Sequence, residues 1–251
     1  MPVRKQFRKI AFLTPRPGLS LDAFYSYWRG THGPTVANSP GYAAYRTRYA
    51  QNHKITDGPV GNPFPYPGIA EFHIPGDGSN EEAFAQTSIY RDRIRVDELN
   101  FIDMNNTVSM TAVEDVRRVG RGKAKLMIIC SRASGVSRDE FDAWLTGAYA
   151  EAILKTSKCF SGKLKGWTLN HVVEGSFRLP GARPVETGAV DCVQELRFDS
   201  ASEMAEAYAS PGYRALIEPL WRRILSDGHT FSFLAEEVVF FDQGRSLVGR
   251  Q

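Results

Sequence analysis

Two histidines, His32 and His53, and the tyrosines near them are the residues best suited to chemistry in this chain. A neutral imidazole titrates near physiological pH and can take or give a proton. A tyrosine hydroxyl can donate to an oxyanion as it forms. His32 lies four residues beyond Trp28, at the end of a series in which Leu21, Phe24, Tyr25 and Trp28 fall at i, i+3, i+4 and i+7. That spacing gives a helix one apolar face, with an imidazole in its last turn. His53 alternates with Tyr45, Thr47, Tyr49 and Gln51, so a strand through this stretch puts all five on one face. His32, His53 and Tyr49 are therefore the catalytic candidates, for proton abstraction followed by loss of a leaving group. Trp28, Tyr45 and Asn52, with Phe64 and Tyr66 on a Gly/Pro-rich loop, are the substrate-binding candidates. Aromatic walls suit a flat ligand, and a few polar groups orient it. Each residue also has a plainer role: a helix-end histidine favoured by the carbonyl dipole, a solvent-facing strand end, or tyrosines packed on a sheet.

Elements must hold these residues in place, and the chain supplies them in order. Arg8–Leu13 reads as a strand ending at Pro15. Ser20 is a candidate N-cap for the helix through Trp28 and His32, which Gly33-Pro34 is expected to stop. Residues 42–53 read as a strand, 55–68 as a loop, and 69–74 as a strand. Residues 80–103 read as helical with a break near Thr87-Ser88, and 108–116 as a strand. The order is β-α-β-β-α-β, and it then repeats. Lys125–Cys130 is a strand, and Ser137-Arg138-Asp139-Glu140 is a capping box before a helix with Phe141, Trp144, Leu145, Ala148 and Tyr149 on one stripe. Residues 164–173 read as a strand, 175–188 as a loop, 190–198 as a strand, 202–226 as mostly helix with segments starting at Pro211 and Pro219, and 231–241 as the last strand. Ser20 and Phe24 match Ser137 and Phe141, Asn52-His53 matches Asn170-His171, and Glu71 matches Glu195. The offset of about 120 residues is that of a duplicated domain. The expected boundary puts one unit at 1–118 and the other at 119–251.

The stretch Gly18-Leu19-Ser20, Phe24, Tyr27-Trp28 and His32-Gly33-Pro34 resembles the start of the EthD-like family, small ferredoxin-like domains of the dimeric α+β barrel superfamily. The segment around Asp97–Asp103 resembles that family's second helix, and Val193–Ser200 resembles its third strand. The resemblance implies an α+β fold in which two sheets face one another. With two copies in one chain, it implies tandem ferredoxin-like βαββαβ units forming an intramolecular pseudo-dimeric α+β barrel. It also implies a small-molecule site between sheet and helices, and enzymes that include cofactor-free dehydratases of polyketide-like substrates. In the second half Leu145 stands at the Trp28 position and Tyr149 at the His32 position, without His-Gly-Pro, so Tyr149 and His171 are its candidates.

Composition narrows the classes. With 251 residues, 42% hydrophobic and 24% charged, the chain reads as an ordinary globular protein. A net charge of +3 gives no reason to expect a nucleic-acid partner, and Arg4, Lys5, Arg8 and Lys9 read as a solvated strand flank. No apolar run approaches a membrane span, and no leader is evident, so a cytoplasmic location is expected. Cys130, Cys159 and Cys192 lack CxxC spacing and read as reduced thiols. The five histidines show no HxxxH or HExxH pattern and no glycine-rich phosphate loop opens a helix, so neither a metal nor another cofactor is expected. Glu71 is expected to pair with Arg46 or Arg48, and His73 to pack. The resulting expectation is a cofactor-independent lyase, dehydratase or retro-aldol in type, acting on a hydroxylated aromatic molecule as a monomer or homodimer. The alternatives are an oxidative enzyme, haem-dependent or using oxygen directly, and a non-catalytic small-molecule binder.

Overall fold

The computed structural model describes residues 6–76, 80–156, 158–183 and 189–243. Arg4, Lys5 and residues 184–188 of the second loop lie outside them. Strands β1 (Gln6–Phe12), β2 (Arg48–Asp57), β4 (Gly68–Ile74), β5 (Val108–Arg118), β6 (Ala124–Cys130), β7 (Gly166–Val172), β8 (Cys192–Phe198) and β9 (Phe231–Asp242) pair in the order β2-β4-β1-β5-β7-β8-β6-β9. β9 returns to pair with β2, so the sheet closes into a barrel in which these eight pairings are antiparallel. Closure gives each of these strands a partner on both sides and so removes most of the open edge that is a standing hazard of flat sheets. A short strand, β3 (Asn62–Pro63), runs parallel to the start of β9.

Within residues 6–118 the strands lie in the order β5-β1-β4-β2, and within 124–242 in the order β9-β6-β8-β7. Helices cover the outside. The first layer holds α1 (Leu21–Tyr27), α2 (Gly33–Ala37), α3 (Asn80–Ala85) and α4 (Arg95–Phe101). The second holds α5 (Arg138–Thr146), α6 (Ala148–Glu151), α7 (Lys158–Ser161), α8 (Ala201–Ala209), α9 (Pro211–Leu216) and α10 (Glu218–Ile224). One apolar core lies under each helix layer and a third, with Ile10, Phe12, Met110, Met127, Ile129 and Phe233, fills part of the barrel. No helix among the described residues is long and apolar enough to cross a membrane.

Local chemistry explains most element starts. Ser20 accepts a hydrogen bond from the Ala23 amide, and Ser137 and Glu140 form the full capping box. Pro211 and Pro219 sit in first helical turns, where a missing N–H costs nothing. Two expectations need correction for the same kind of reason. Gly33-Pro34 does not stop the first helix: Gly33 is helical at φ −53°, and Pro34 falls in the first turn of α2. Residues 42–44 form a 3₁₀ turn after Gly41 (φ 83°), so β2 begins at Arg48 rather than Tyr42.

The barrel interior is apolar at one end and ionic at the other. Arg8 pairs with Glu71, Glu114 and Glu195. The Lys125 ammonium lies 2.9, 2.8 and 2.9 Å from oxygens of Glu71, Glu195 and Glu237. Arg48 and Arg197 add ion pairs to Glu237. Arg8 and Lys9 are thus buried, not a solvated flank, because strand alternation sends Arg8 into the barrel and Lys9 under the helices, and both spaces are closed. Glu71 does pair with arginine, but with Arg8 rather than Arg46 or Arg48; Arg46 pairs with Glu81 instead. Burial works against ionisation of Glu71, yet Lys125, Arg8 and Arg48 hold its carboxyl well below the usual range. His73 sits beside this network, where burial and Arg8 push it down to about 3 and keep it neutral.

Candidate functional site

His32 and Trp28 lie on a π-helical segment, Trp28–His32, between α1 and α2. Such wide turns recur at functional sites because they shift a side chain off the α-helical register. A second π segment, Ile89–Ile94, precedes α4. α4 packs against the first of these segments and brings Asp97 to His32. The Nδ1 of His32 is 2.6 Å from Oδ2 of Asp97, and the Tyr27 hydroxyl donates to Oδ1 at 2.8 Å. Burial would raise the Asp97 carboxyl, but the hydrogen bonds from His32 and Tyr27 hold it below its usual value. Asp97 therefore accepts from Nδ1–H and leaves Nε2 of His32 as the basic nitrogen. Phe101 packs on the imidazole at 4.8 Å between centroids.

Trp28 lies flat on the sheet. Its ring stacks on His53 at 4.4 Å, and Gly68 makes the space: a Cβ there would stand 2.8 Å from the indole and 2.4 Å from the Asn52 carbonyl. Gly68→Ala is expected to lower stability by about 1–3 kcal/mol through overpacking, read as a lower denaturant midpoint with an unchanged slope. His53 is held between Trp28 and Tyr25, which stacks on its other side at 5.2 Å. Burial, with Arg29 nearby, pushes His53 down to about 4, so it is neutral. Its Nε2 is 2.7 Å from Oε1 of Gln51, whose amide donates to the Tyr49 hydroxyl (2.9 Å) and the Trp28 carbonyl (2.7 Å). Burial pushes the Tyr49 hydroxyl upward, so it stays protonated, and with Gln51 as donor its own proton is free to be given.

His32, His53, Tyr49 and Trp28 are thus brought together on the helix side of the first half. The others are not. Tyr45 precedes β2 and packs on Phe84 at 5.2 Å rather than on the His53 face. Asn52 points into the barrel, donating to Glu71 at 2.7 Å, because alternation puts it opposite His53. Phe64 and Tyr66 also belong to the barrel: Gly61 (φ 70°) lets the loop clamp onto Thr230, and Phe64 stacks on Phe233 at 4.7 Å. In the second half Tyr149 is buried against Trp144, Trp167 and Trp221 with no hydrogen-bond partner for its hydroxyl. His171 has different company, Asp142 at 3.1 Å and Asp115 at 3.9 Å. Asp97, Tyr27 and Gln51 join this cluster without being site candidates in the sequence, although Tyr27 stands in the EthD-like motif and Gln51 on the His53 face. Asp97 does stand in the segment resembling the family's second helix, which is the one signal for it.

Glu71, Glu195 and Glu237 cluster closely enough to hold a metal ion, but the Lys125 ammonium already stands among their oxygens. Among the described residues, His53 borders a surface cavity of about 360 Å³ and His229 borders one of about 310 Å³ at the barrel mouth, beside Phe12, Phe64, Tyr66 and Phe231. Ligand cavities run to roughly 300–1,000 Å³, so both lie at the small end, and a haem does not fit either.

Comparison with known proteins agrees with this layout. A monooxygenase-like protein from Lactobacillus acidophilus is 8% identical with a TM-score of 0.55, over 96% of this chain and 97% of that one. An anthrone oxidase-like protein is 11% identical with a TM-score of 0.53, over 96% of each chain. A chlorite dismutase-like protein is 7% identical with a TM-score of 0.50, over 93% of this chain and 96% of that one. A search of curated proteins gives no match. The expected dehydratase or retro-aldol lyase is corrected here: these structures carry the names of oxidative enzymes, in keeping with the oxidative alternative. The EthD domain matches residues 16–105, which span His32 and Asp97. Residues 16–105 are therefore similar to the EthD domain, and they sit in a closed α+β barrel whose fold these solved structures share.

Proposed function

We propose that this chain is an enzyme that oxidises a hydroxylated aromatic small molecule with molecular oxygen, with His32 as its base. The observation that carries the reading is the hydrogen bond from His32 to Asp97 within the EthD domain. A carboxylate on Nδ1 fixes the tautomer and stabilises the imidazolium once Nε2 has taken a proton. Removing a proton from a ring-activated C–H or phenol leaves an electron-rich anion, which can pass electrons to oxygen. At a methylene carbon the balance is R₂CH₂ + O₂ → R₂C=O + H₂O. One oxygen atom becomes the carbonyl, and the other leaves as water with both hydrogens lost from carbon. The free proton of Tyr49 suits donation to the substrate oxyanion. The oxidative names of the similar structures support this choice of reaction by fold analogy.

We also read the chain as two ferredoxin-like units, 1–118 and 119–251, facing one another as an intramolecular pseudo-dimer. The matching strand orders support it, as does the register. Ile10 stands across from Glu71 and Met127 across from Glu195; Glu114 stands across from Asn170 and Glu237 across from Asn52.

The test is oxygen uptake by chelator-treated protein on a panel of hydroxylated aromatics including anthrone and 1-naphthol. Uptake of one oxygen molecule per product, with ¹⁸O from ¹⁸O₂ in the product and no loss on chelation, is the expected result. Conversion that proceeds equally well without oxygen, or no conversion across the panel, refutes the reading.

A further inference from the structure

Lys9 is buried under the first helix layer with its ammonium 3.0 Å from Oγ1 of Thr111 and 3.7 Å from Oε2 of Glu81. Arg46, also buried, lies 2.6 Å from the other Glu81 oxygen, with its guanidinium over the rings of Phe84 (4.4 Å) and Phe72 (5.7 Å). Among the described residues two cations thus share one carboxylate, leaving a surplus positive charge out of water. Buried charge is costly unless it is paired. Burial pushes Lys9 down to about 8, against the pull of Glu81. Among the described residues, Nε of Arg46 and the hydroxyl of Tyr42, both buried, have no hydrogen-bond partner, and the Glu81 oxygens meet the two cations as ion pairs without a hydrogen bond. Tyr42 packs edge-on to Phe84, the ring under the Arg46 guanidinium, at 6.1 Å between centroids, so the spare hydroxyl belongs to the same cluster.

What now meets Lys9 comes from the far half of the chain. Residues 176–183 form a strap along the edge of β5, which β7 pairs only from Ala112 onward. Ser176 Oγ accepts from the Thr111 amide at 2.9 Å, the Leu179 amide donates to Ser109 Oγ at 3.1 Å, and the Arg183 amide donates to the Thr107 carbonyl at 2.8 Å. Lys9 donates to the Phe177 carbonyl, and the Phe177 ring centroid is 5.3 Å from its ammonium. Phe177 therefore offers Lys9 an aromatic ring with an oxygen acceptor beside it. That is the outline of an aromatic acid or phenolate, lacking only the negative charge that the cluster's surplus calls for.

We propose that Lys9, Arg46 and Tyr42 form a binding site for an aromatic oxyanion, and that Phe177 fills this site as a displaceable plug. The inference concerns binding and asks nothing of the reaction.

Calorimetric titration of the full chain at neutral pH with 1-hydroxy-2-naphthoate and its neutral amide tests it. Wild type is expected to bind the acid at least tenfold more tightly than the amide. Lys9→Met is expected to abolish that preference by weakening the acid alone, and Phe177→Ala to strengthen binding of the acid severalfold. Tyr42→Phe, which removes only a hydroxyl, is the second reading if Lys9→Met does not fold; it is expected to weaken the acid several-fold. Equal binding of acid and amide by wild type, no binding of either, an acid preference that survives Lys9→Met or, where that variant does not fold, acid affinity unchanged in Tyr42→Phe overturns the proposal. Oxygen uptake without acid preference removes this inference and leaves the proposed oxidation standing; acid preference without oxygen uptake does the reverse.

Discussion

His32→Ala is expected to lower oxygen-dependent turnover by about 10²–10⁴-fold, the usual loss when a positioned base is removed. The cost in stability should be far smaller, about 1–3 kcal/mol, because the substitution removes one buried hydrogen bond and some packing against Phe101. Asp97→Asn separates the base from its support. Asp97 touches His32 rather than substrate, so it is a positioning residue. Its substitution should lower kcat with little change in KM, whereas a lost substrate contact would raise KM. The checks are steady-state kinetics, with activity normalised to folded protein by circular dichroism. Unchanged activity per folded molecule in His32→Ala would make the residue structural and place the chemistry elsewhere.

Lys125→Met should have the largest effect on stability. It removes the cation at the centre of Glu71, Glu195 and Glu237, leaving buried carboxylates for Arg8, Arg48 and Arg197 to neutralise. Breaking a buried ion pair from one side typically costs about 3–5 kcal/mol. The loss should depend on pH in a defined direction. The carboxyls of Glu71, Glu195 and Glu237 are all depressed despite burial, which alone would raise them. A depressed carboxyl contributes stability that is present above its unfolded value of about 4.3 and is lost as pH falls below it. The wild type should therefore weaken steadily on acidification. The gap between wild type and Lys125→Met should be widest near neutral pH and shrink toward pH 3, because without Lys125 the variant's carboxyls take up protons at higher pH than the wild type's and then no longer need a cation. Denaturant melts at several pH values measure this; a gap that stays constant from pH 3 to 7 would show that the network's charge does not set its contribution.

Much of the barrel is legible in the sequence because its causes are local. Ser20 and Ser137 mark helix starts through bonds to amides three residues away, and short runs rich in apolar residues mark β4, β6 and β8. The EthD segment is recognisable for the same reason: Phe24, Trp28 and His32 are spaced by one helix. The repeated Asn and Glu positions are visible as pattern, although their common destination in the barrel is not.

What only the tertiary structure decided are the pairings made across long stretches of chain. His32 is 65 residues from Asp97, and no periodicity links them; the docking of α4 against the π turn does. Lys9 and Phe177 are 168 residues apart and meet because a strap finds the unpaired edge of β5. Arg8 and Lys9 look alike as neighbouring surface cations, yet each faces a different interior. The physical reason is closure. In an open sheet the face away from the helices meets water, and charge in the sequence marks it. When β9 pairs with β2 both faces become interior, so alternation still separates Asn52 from His53 and Arg8 from Lys9, but only the closed barrel determines what each side meets.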